Sequence, residues 1–334
     1  MDTRRPLLLL AAAGFVSGLT MRLAEPLLPK VAHEFGVSVA AAAVLITAFT
    51  LAYGLFQLAH GPIADRIGKL RAVTIALALA SLACAACAWA TSLETLALYR
   101  FLTGMTAGAV IPLSFTFVGD NVPYEGRQAL LGRFIAGTLL GQTCGPLLGG
   151  VFSDHVGWRA TFLVPAAAFL IIGLTLLPLA RHHDAVRSAS ASGVDPLRGY
   201  LALLRLRRVR VVLLAVALEG FLFFGAFGYL GAFLRQDFGL SYSAIGVILA
   251  GFALGGVVYS ALVRILLRRL GQRGLVGAGG AILLVSFSTV AMAAGWEQSA
   301  PAIAALGLGY YMLHNTLQTR ATEMAPEARS TAVS

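Results

Sequence analysis

Gly61-Pro62-Ile63-Ala64-Asp65-Arg66-Ile67-Gly68-Lys69-Leu70-Arg71 separates two long apolar runs, 40 to 60 and 72 to 91. Gly61 and Gly68 permit close backbone approach and a tight turn, and Asp65 stands among Arg66, Lys69 and Arg71, with which it can switch partners as helices rock. An ordinary basic loop accounts for the cations but not for an acid held between two glycines. The flanking runs set the scale for the rest of the chain. A helix needs about 20 mostly apolar residues, rising about 1.5 Å each, to cross the hydrocarbon core of a bilayer. Ten stretches meet that requirement, at approximately 7 to 29, 40 to 60, 72 to 91, 96 to 118, 129 to 151, 159 to 180, 211 to 234, 242 to 263, 275 to 295 and 300 to 319. They lack the alternation of a membrane barrel and are rich in Leu and Ala, so the spans are helices.

Composition agrees. Of 334 residues, 58% are hydrophobic and 12% charged, with a mean hydropathy of +0.82, outside the balance of a water-soluble domain. The expectation is an all-α membrane protein, multi-pass, in a bacterial-type inner membrane with lipid around it. The net charge of +10 does not point to nucleic acid, because the basic residues fall in short clusters between apolar runs. With the N-terminus inside, 20 of the 25 Lys and Arg lie in cytoplasmic segments; Lys30, Arg159 and Arg235 lie outside, and Arg22 and Arg100 within spans. By the positive-inside rule both ends are expected in the cytoplasm.

Cys84, Cys87 and Cys144 lie inside apolar runs and read as small buried residues, since Cys84-x-x-Cys87 lacks the strand-helix context of a redox pair. The first apolar run, after Arg4 and Arg5, continues past any plausible signal-peptide cleavage site and reads as a retained span. No nucleophile-base pairing, metal-ligand cluster or phosphate-binding loop stands out. Neither enzymatic activity nor a cofactor nor a metal is therefore expected.

The longest connection, Arg181 to Arg210, begins Ser/Ala-rich and ends in the basic run Arg205-Leu206-Arg207-Arg208-Val209-Arg210, a juxtamembrane anchor to anionic lipid. It divides the chain into a six-helix bundle (1–180), a cytoplasmic central loop (181–210) and a four-helix bundle (211–334). Weak internal echoes support that division. Pro123-Tyr124-Glu125-Gly126-Arg127 after span 4 is matched by Pro326-Glu327-Ala328-Arg329 after span 10, one residue shorter. Arg268-Arg269-Leu270-Gly271-Gln272-Arg273 after span 8 echoes the opening loop. Both echoes fall six spans apart, as two parallel six-helix repeats require.

The loop Gly61 to Arg71, placed after the second span, resembles the signature loop of the major facilitator superfamily, with Gly61, Asp65, Arg66, Gly68, Lys69 and Arg71 as its gating residues. Span 4 carries Arg100, Gly104, Gly108 and Pro112 at four-residue spacing, similar to the family's fourth-helix motif. Gly137, Gly141, Gly145 and Gly149, with Pro146 and Gly150, resemble the fifth-helix motif that marks exporters working by antiport. Such a stripe allows close helix packing and Pro146 kinks the helix; Gly251 and Gly255-Gly256 in span 8 form a matching stripe. Arg22-Leu23-Ala24-Glu25-Pro26 at the end of span 1 and Trp158-Arg159 before span 6 are similar to twelve-span drug-proton antiporters. The second-half loop departs from the pattern, with Arg268 where an acid would repeat.

The resemblance implies a secondary active transporter with a six-span N-terminal repeat and an incomplete four-span C-terminal repeat, exporting a small apolar or cationic compound in exchange for protons by alternating access. Glu25, Glu219 and Arg100 are the proton-coupling candidates, because a carboxylate in a low-dielectric cavity favours its proton-bound form. Arg22 and Glu25, three residues apart, share a helix face and equally read as a mutually neutralising pair. Helices 1, 4, 7 and 10 line the family's cavity, so Arg22, Phe224, Tyr311, His314, Asn315 and Gln318 are substrate-cavity candidates, with Phe221, Phe227, Tyr229 and Tyr310 beside them; packing or lipid contact is the competing reading for any one aromatic. The chain ends where spans 11 and 12 would begin, which leads to the expectation of a truncated transporter whose span 2 presents Tyr53, Gln57 and His60 to lipid or to nothing. A full-length chain is expected to be monomeric. The alternatives are an importer or facilitator of the same fold, and a membrane fragment that does not transport.

Overall fold

The computed structural model describes residues 4–122, 124–184 and 205–323. Arg187, Arg198 and most of the central loop, Pro123, and Met324 to Ser334 with the second Pro-to-Arg echo lie outside the described residues. Among those described, every regular element is a helix.

Span 1 is α1 (Arg4–Arg22), a 3-10 turn (Glu25–Leu27) and α2 (Leu28–Phe35), whose prolines sit in first turns where the missing N–H costs nothing. Span 2 is α3 (Val39–Ala42) followed by α4 (Val44–Ile67), and span 3 is α5 (Lys69–Cys87). Span 4 is α6 (Leu93–Ala107), opened by a Ser92–Thr95 capping box, and α7 (Val110–Asn121). Its break follows Gly108, four residues before Pro112, where the proline ring clashes with the preceding turn. Spans 5 and 6 are α8 (Tyr124–His155) and α9 (Ala160–Asp184). Span 7 is α10 (Arg207–Phe227) and α11 (Leu230–Phe238). Spans 8 and 9 form one 50-residue run, α12 (Tyr242–Ala291), interrupted at Gly271, and span 10 is α13 (Trp296–Glu323). Eight of these segments are long and apolar enough to cross a membrane, with α12 counted once. Dividing α12 at Gly271 and adding the less apolar span 10 accounts for the ten stretches of the sequence.

The chain divides into two compact units. The first holds spans 1 to 6 together with Ser241–Gly246; the second holds the remainder of spans 7 to 10. In the first unit span 1 packs on span 5, span 2 on span 4 and span 3 on span 6. A Cβ added to Gly141, Gly145 or Gly149 would overlap the main chain of Phe15, Leu19 or Leu23, so the span 5 stripe is the surface that receives span 1. Gly150 and Pro146 meet Tyr242, Ser243 and Gly246 instead. The Asp154 carboxylate, at the end of span 5, accepts hydrogen bonds from the Tyr242 and Ser243 amides and the Ser243 hydroxyl, satisfying donors at the start of the helix that follows.

Gly255 and Gly256 of the span 8 stripe approach Gly307 and Tyr311 of span 10. One expectation changes here. Tyr53 does not face lipid. It is 7% exposed, its ring lies 5.7 Å from Phe49, and its hydroxyl hydrogen-bonds Ser17. His60 Nδ1 is buried with no hydrogen-bond partner among the described residues. Elsewhere the outward faces are apolar, with Leu82, Ile171, Leu214 and Leu284 all mostly exposed, as lipid contact requires.

The two units share a register that the loop echoes only hint at. Glu34-Phe35-Gly36-Val37-Ser38 after span 1 reappears as Asp237-Phe238-Gly239-Leu240-Ser241 after span 7, each residue 203 further on. Gly36 and Gly239 both take φ 64°, ending a helix in the left-handed conformation that glycine reaches without strain. Ser38 and Ser241 each then accept a bond from the amide three residues later. The same spacing relates Gly68 to Gly271, both at positive φ between consecutive spans. It also relates the contact of Gly104 on the Phe49 carbonyl to that of Gly307 on the Phe252 carbonyl. One pair exchanges sizes: Gly108 lies on Tyr53 in the first unit, and Tyr311 on Gly256 in the second.

Candidate functional site

Within the first unit Arg22, Glu25 and Arg100 find partners in spans 1, 2 and 4, while Arg100 Nη2 and His60 Nδ1 are buried with none among the described residues. Arg22 and Glu25 form a bidentate pair, Nε to Oε1 at 2.5 Å and Nη2 to Oε2 at 3.0 Å, with each residue 4% exposed. Arg100 is fully buried, so it does not snorkel to the outer interface. It donates from Nε to the Leu45 carbonyl and from Nη1 to the Thr20 carbonyl, and its guanidinium lies 4.2 Å from the Phe49 ring centroid. Such a group ties the main chains of spans 1 and 2 to span 4 and rests on an aromatic face. No carboxylate is among these partners.

The signature loop is arranged around a different acid from the expected one. Asp65 is exposed, and no ion pair involving it occurs among the described residues. Lys69 bonds Asp120 at the end of span 4. Gly68, at φ 95°, gives the turn between spans 2 and 3, while Gly61 has no neighbour within 4 Å of where a Cβ would stand. At the opposite ends of the helices, Glu34 accepts bonds from Trp158 and Arg159, and Lys30 bonds the Ser153 carbonyl.

The second unit holds a more unusual arrangement. Glu219 and Phe223 lie one turn apart on α10, and Tyr310 and His314 one turn apart on α13. Two cross-helix contacts join them. Glu219 Oε2 lies 3.0 Å from His314 Nδ1, and the Phe223 and Tyr310 ring centroids are 4.4 Å apart. His314 stacks on Tyr310 at 5.0 Å and 12° between planes. Phe224, Phe227, Phe252 and Phe287 surround this ladder. The Glu219 side chain is 5% exposed, and its Oε1 has no partner among the described residues. A buried carboxylate needs compensation, and His314 supplies it when protonated.

The expected coupling residues are thus separate: Glu25 with Arg22, Arg100 on carbonyls, Glu219 with His314. Of the cavity candidates, Phe224, Tyr311 and His314 join the aromatic cluster. Asn315 hydrogen-bonds the Tyr259 hydroxyl, Gln318 is exposed near the end of α13, and Arg22 is engaged by Glu25. Phe221 turns outward at 77% exposure. Phe223, which sequence reading passed over, is the centre. The signal was available, since residues 219, 223 and 227 recur every four positions along one helix face.

The sequence profile of the major facilitator superfamily matches residues 10–334. The uncharacterized transporter YceJ of Bacillus subtilis is 30% identical over 74% of this chain and 62% of its own. The multidrug export protein EmrB of Escherichia coli K12 is 32% identical over 49% of this chain and 32% of its own, and a gallate transporter of Pseudomonas putida is 27% identical over 92% and 75%. The matched region therefore spans about a third to three-quarters of these relatives. A crystal structure of a bacterial homologue of the human lysosomal transporter Spinster superposes with a TM-score of 0.80, at 19% identity, over all of this chain and 78% of that one.

Proposed function

The chain belongs to the major facilitator superfamily, a family of membrane transporters, and from that premise we propose that it exports a small apolar or cationic compound in exchange for protons. The observation that carries the reading is Glu219, a carboxylate held almost wholly out of solvent within a span, with one oxygen on His314 and the other unpartnered. Ionisable groups inside spans are costly and mark substrate or proton pathways. The likeness to the multidrug export protein EmrB over 49% of the chain supports the export direction. Both termini lie in the cytoplasm in this reading, with the Arg205 to Arg210 run against anionic lipid.

Everted membrane vesicles energised to an acid interior provide the test. An exported cation such as tetraphenylphosphonium, or a neutral dye, accumulates inside, and a proton ionophore collapses the accumulation to the level of vesicles lacking the protein. Accumulation indifferent to the ionophore would overturn proton coupling. The likeness to the gallate transporter, which extends over most of the chain, supports a second reading as an importer or facilitator, in which intact cells gain the compound instead of losing it.

In the exporter reading Asp65 acts as a gating acid that pairs with Arg66, Lys69 or Arg71 in one state of the cycle. Asp65→Asn keeps its shape and removes its charge, and since Asp65 is exposed the change costs little stability. Transport is expected to fall at least about tenfold at unchanged protein level, a loss of about 1.4 kcal/mol or more in the barrier. Wild-type rates from this variant would remove Asp65 from the mechanism.

A further inference from the structure

We propose that Cys84 and Cys87 form a two-coordinate site for a soft monovalent metal ion of the Cu(I) and Ag(I) class, with Arg100 as the counter-charge of the filled site. The inference lies in the first unit alone and is independent of the direction of transport and of the acid that couples it.

Arg100 is a permanent cation with no solvent exposure. Two carbonyls accept from it, and its Nη2 has no partner among the described residues. Carbonyl dipoles soften the cost of burying that charge but do not balance it. The groups that act on it electrostatically are two thiols, Cys84 and Cys87 of α5, both fully buried. Each thiol donates to a main-chain carbonyl, Cys84 to Phe162 on span 6 and Cys87 to Ala83 one turn back. Sulfur is a weak donor, so little is lost when a metal ion takes the place of the two protons.

Spacing and charge select the ion. Cys84 and Cys87 stand at i and i+3 of one helix, which puts their Cβ atoms about 5–6 Å apart. Two metal–sulfur bonds of about 2.3 Å laid end to end span about 4.6 Å, so linear coordination fits the pair, and thiolates favour soft ions such as Cu(I). A structural Zn(II) takes four ligands, and the described residues contain no cluster of three metal-binding side chains. When a monovalent ion binds, both thiols give their protons to solvent and no electron moves. The bis-thiolate complex carries a net charge of −1, which Arg100 neutralises. A divalent ion would give a neutral complex and leave the guanidinium as bare as before. The route in is short. Cys87 is the last residue of α5, two positions before Trp89, which is 69% exposed. Helix ends open more easily than helix middles, so entry does not require the bundle to come apart.

The test is an anaerobic titration of the purified full chain in detergent with Cu(I) supplied as its bicinchoninate complex. The wild type is expected to withdraw one Cu(I) per chain and release two protons, and an excess of Zn(II) should not compete. Cys144→Ser should match the wild type. Cys84→Ser and Cys87→Ser should each bind at least about 100-fold more weakly, because one of two ligands is gone. Arg100→Lys keeps the charge and should stay within about tenfold, whereas Arg100→Gln should weaken binding at least about 30-fold. Melting with and without Cu(I) separates a folded site from thiols exposed on unfolding. An ion that prefers the native chain raises the melting temperature, and one captured by unfolded cysteines lowers it; a rise is expected in the wild type and in Cys144→Ser. A fall in the wild type, competition by Zn(II), or uptake that survives in Cys84→Ser or Cys87→Ser overturns the proposal. So does wild-type affinity in a folded Arg100→Gln protein. If Arg100→Gln does not fold, the proton count of the wild type decides: two protons per Cu(I) leave the net −1 that Arg100 offsets, and fewer than two overturn the proposal.

Discussion

Glu219→Gln is expected to eliminate proton-driven transport, by at least about 100-fold, while leaving the amount of protein in the membrane unchanged. The amide is nearly isosteric with the carboxylate and can still hydrogen-bond His314, so the α10 to α13 contact survives. What disappears is the group able to hold a charge or a proton inside the span. Glu25→Gln is the informative partner experiment, because the two acids have different surroundings. Glu25 is locked to Arg22 with both residues buried, and removing one charge strands the other in a low-dielectric interior. Breaking a buried pair costs about 3–5 kcal/mol, so Glu25→Gln should lower folded protein and melting temperature. Transport per folded molecule should persist. The measurements are vesicle accumulation normalised to monodisperse protein, together with thermal melting. Normal coupling in Glu219→Gln, or coupling lost in a stably folded Glu25→Gln protein, would reverse the assignment.

Much of this arrangement was legible in the chain. Long apolar runs and a positive-inside bias give membrane helices whatever the sequence detail, since hydrocarbon leaves the backbone few alternatives. Arg22 and Glu25 were readable as a pair because they share one turn. The Glu219 to His314 contact was not, because it links residues 95 positions apart on two helices whose relative rotation local periodicity does not specify. For the same reason the span 8 glycines did not disclose their contact with span 10: a small-residue stripe announces close packing but not its partner. The 203-residue register was present in Phe35-Gly36-Val37-Ser38 and Phe238-Gly239-Leu240-Ser241 all along. Its meaning rests on the left-handed glycine and the serine cap, which are features of turns instead of spans, and attention to hydropathy passes over them.

That register supports a second expected result of large size. Gly141→Ala, Gly104→Ala and Gly307→Ala should each sharply reduce folded protein, because the added methyl overlaps a main-chain carbonyl, of Phe15, Phe49 and Phe252 respectively. A side chain can rotate away from an intruding methyl. A carbonyl committed to its own helix cannot, so the helices must separate and lose contact along their length. Overpacking costs about 1–3 kcal/mol where neighbours can adjust, and with main chain as the obstacle the upper end or more is expected. Gly251→Ala supplies the opposite sign: nothing lies within 4 Å of the new methyl, and replacing a mid-helix glycine by alanine gains up to about 1 kcal/mol. Detergent-purified variants compared by the temperature at which half the protein remains monodisperse should place Gly251→Ala at or above the wild type and the other three well below it. Gly104→Ala and Gly307→Ala should fall by similar amounts, since they occupy matching places in the two units. Trimming Phe252 to alanine should not rescue Gly307→Ala, because the obstruction is the backbone and not the ring. Rescue, or wild-type stability in any of the three, would show that these helices do not meet through their glycines.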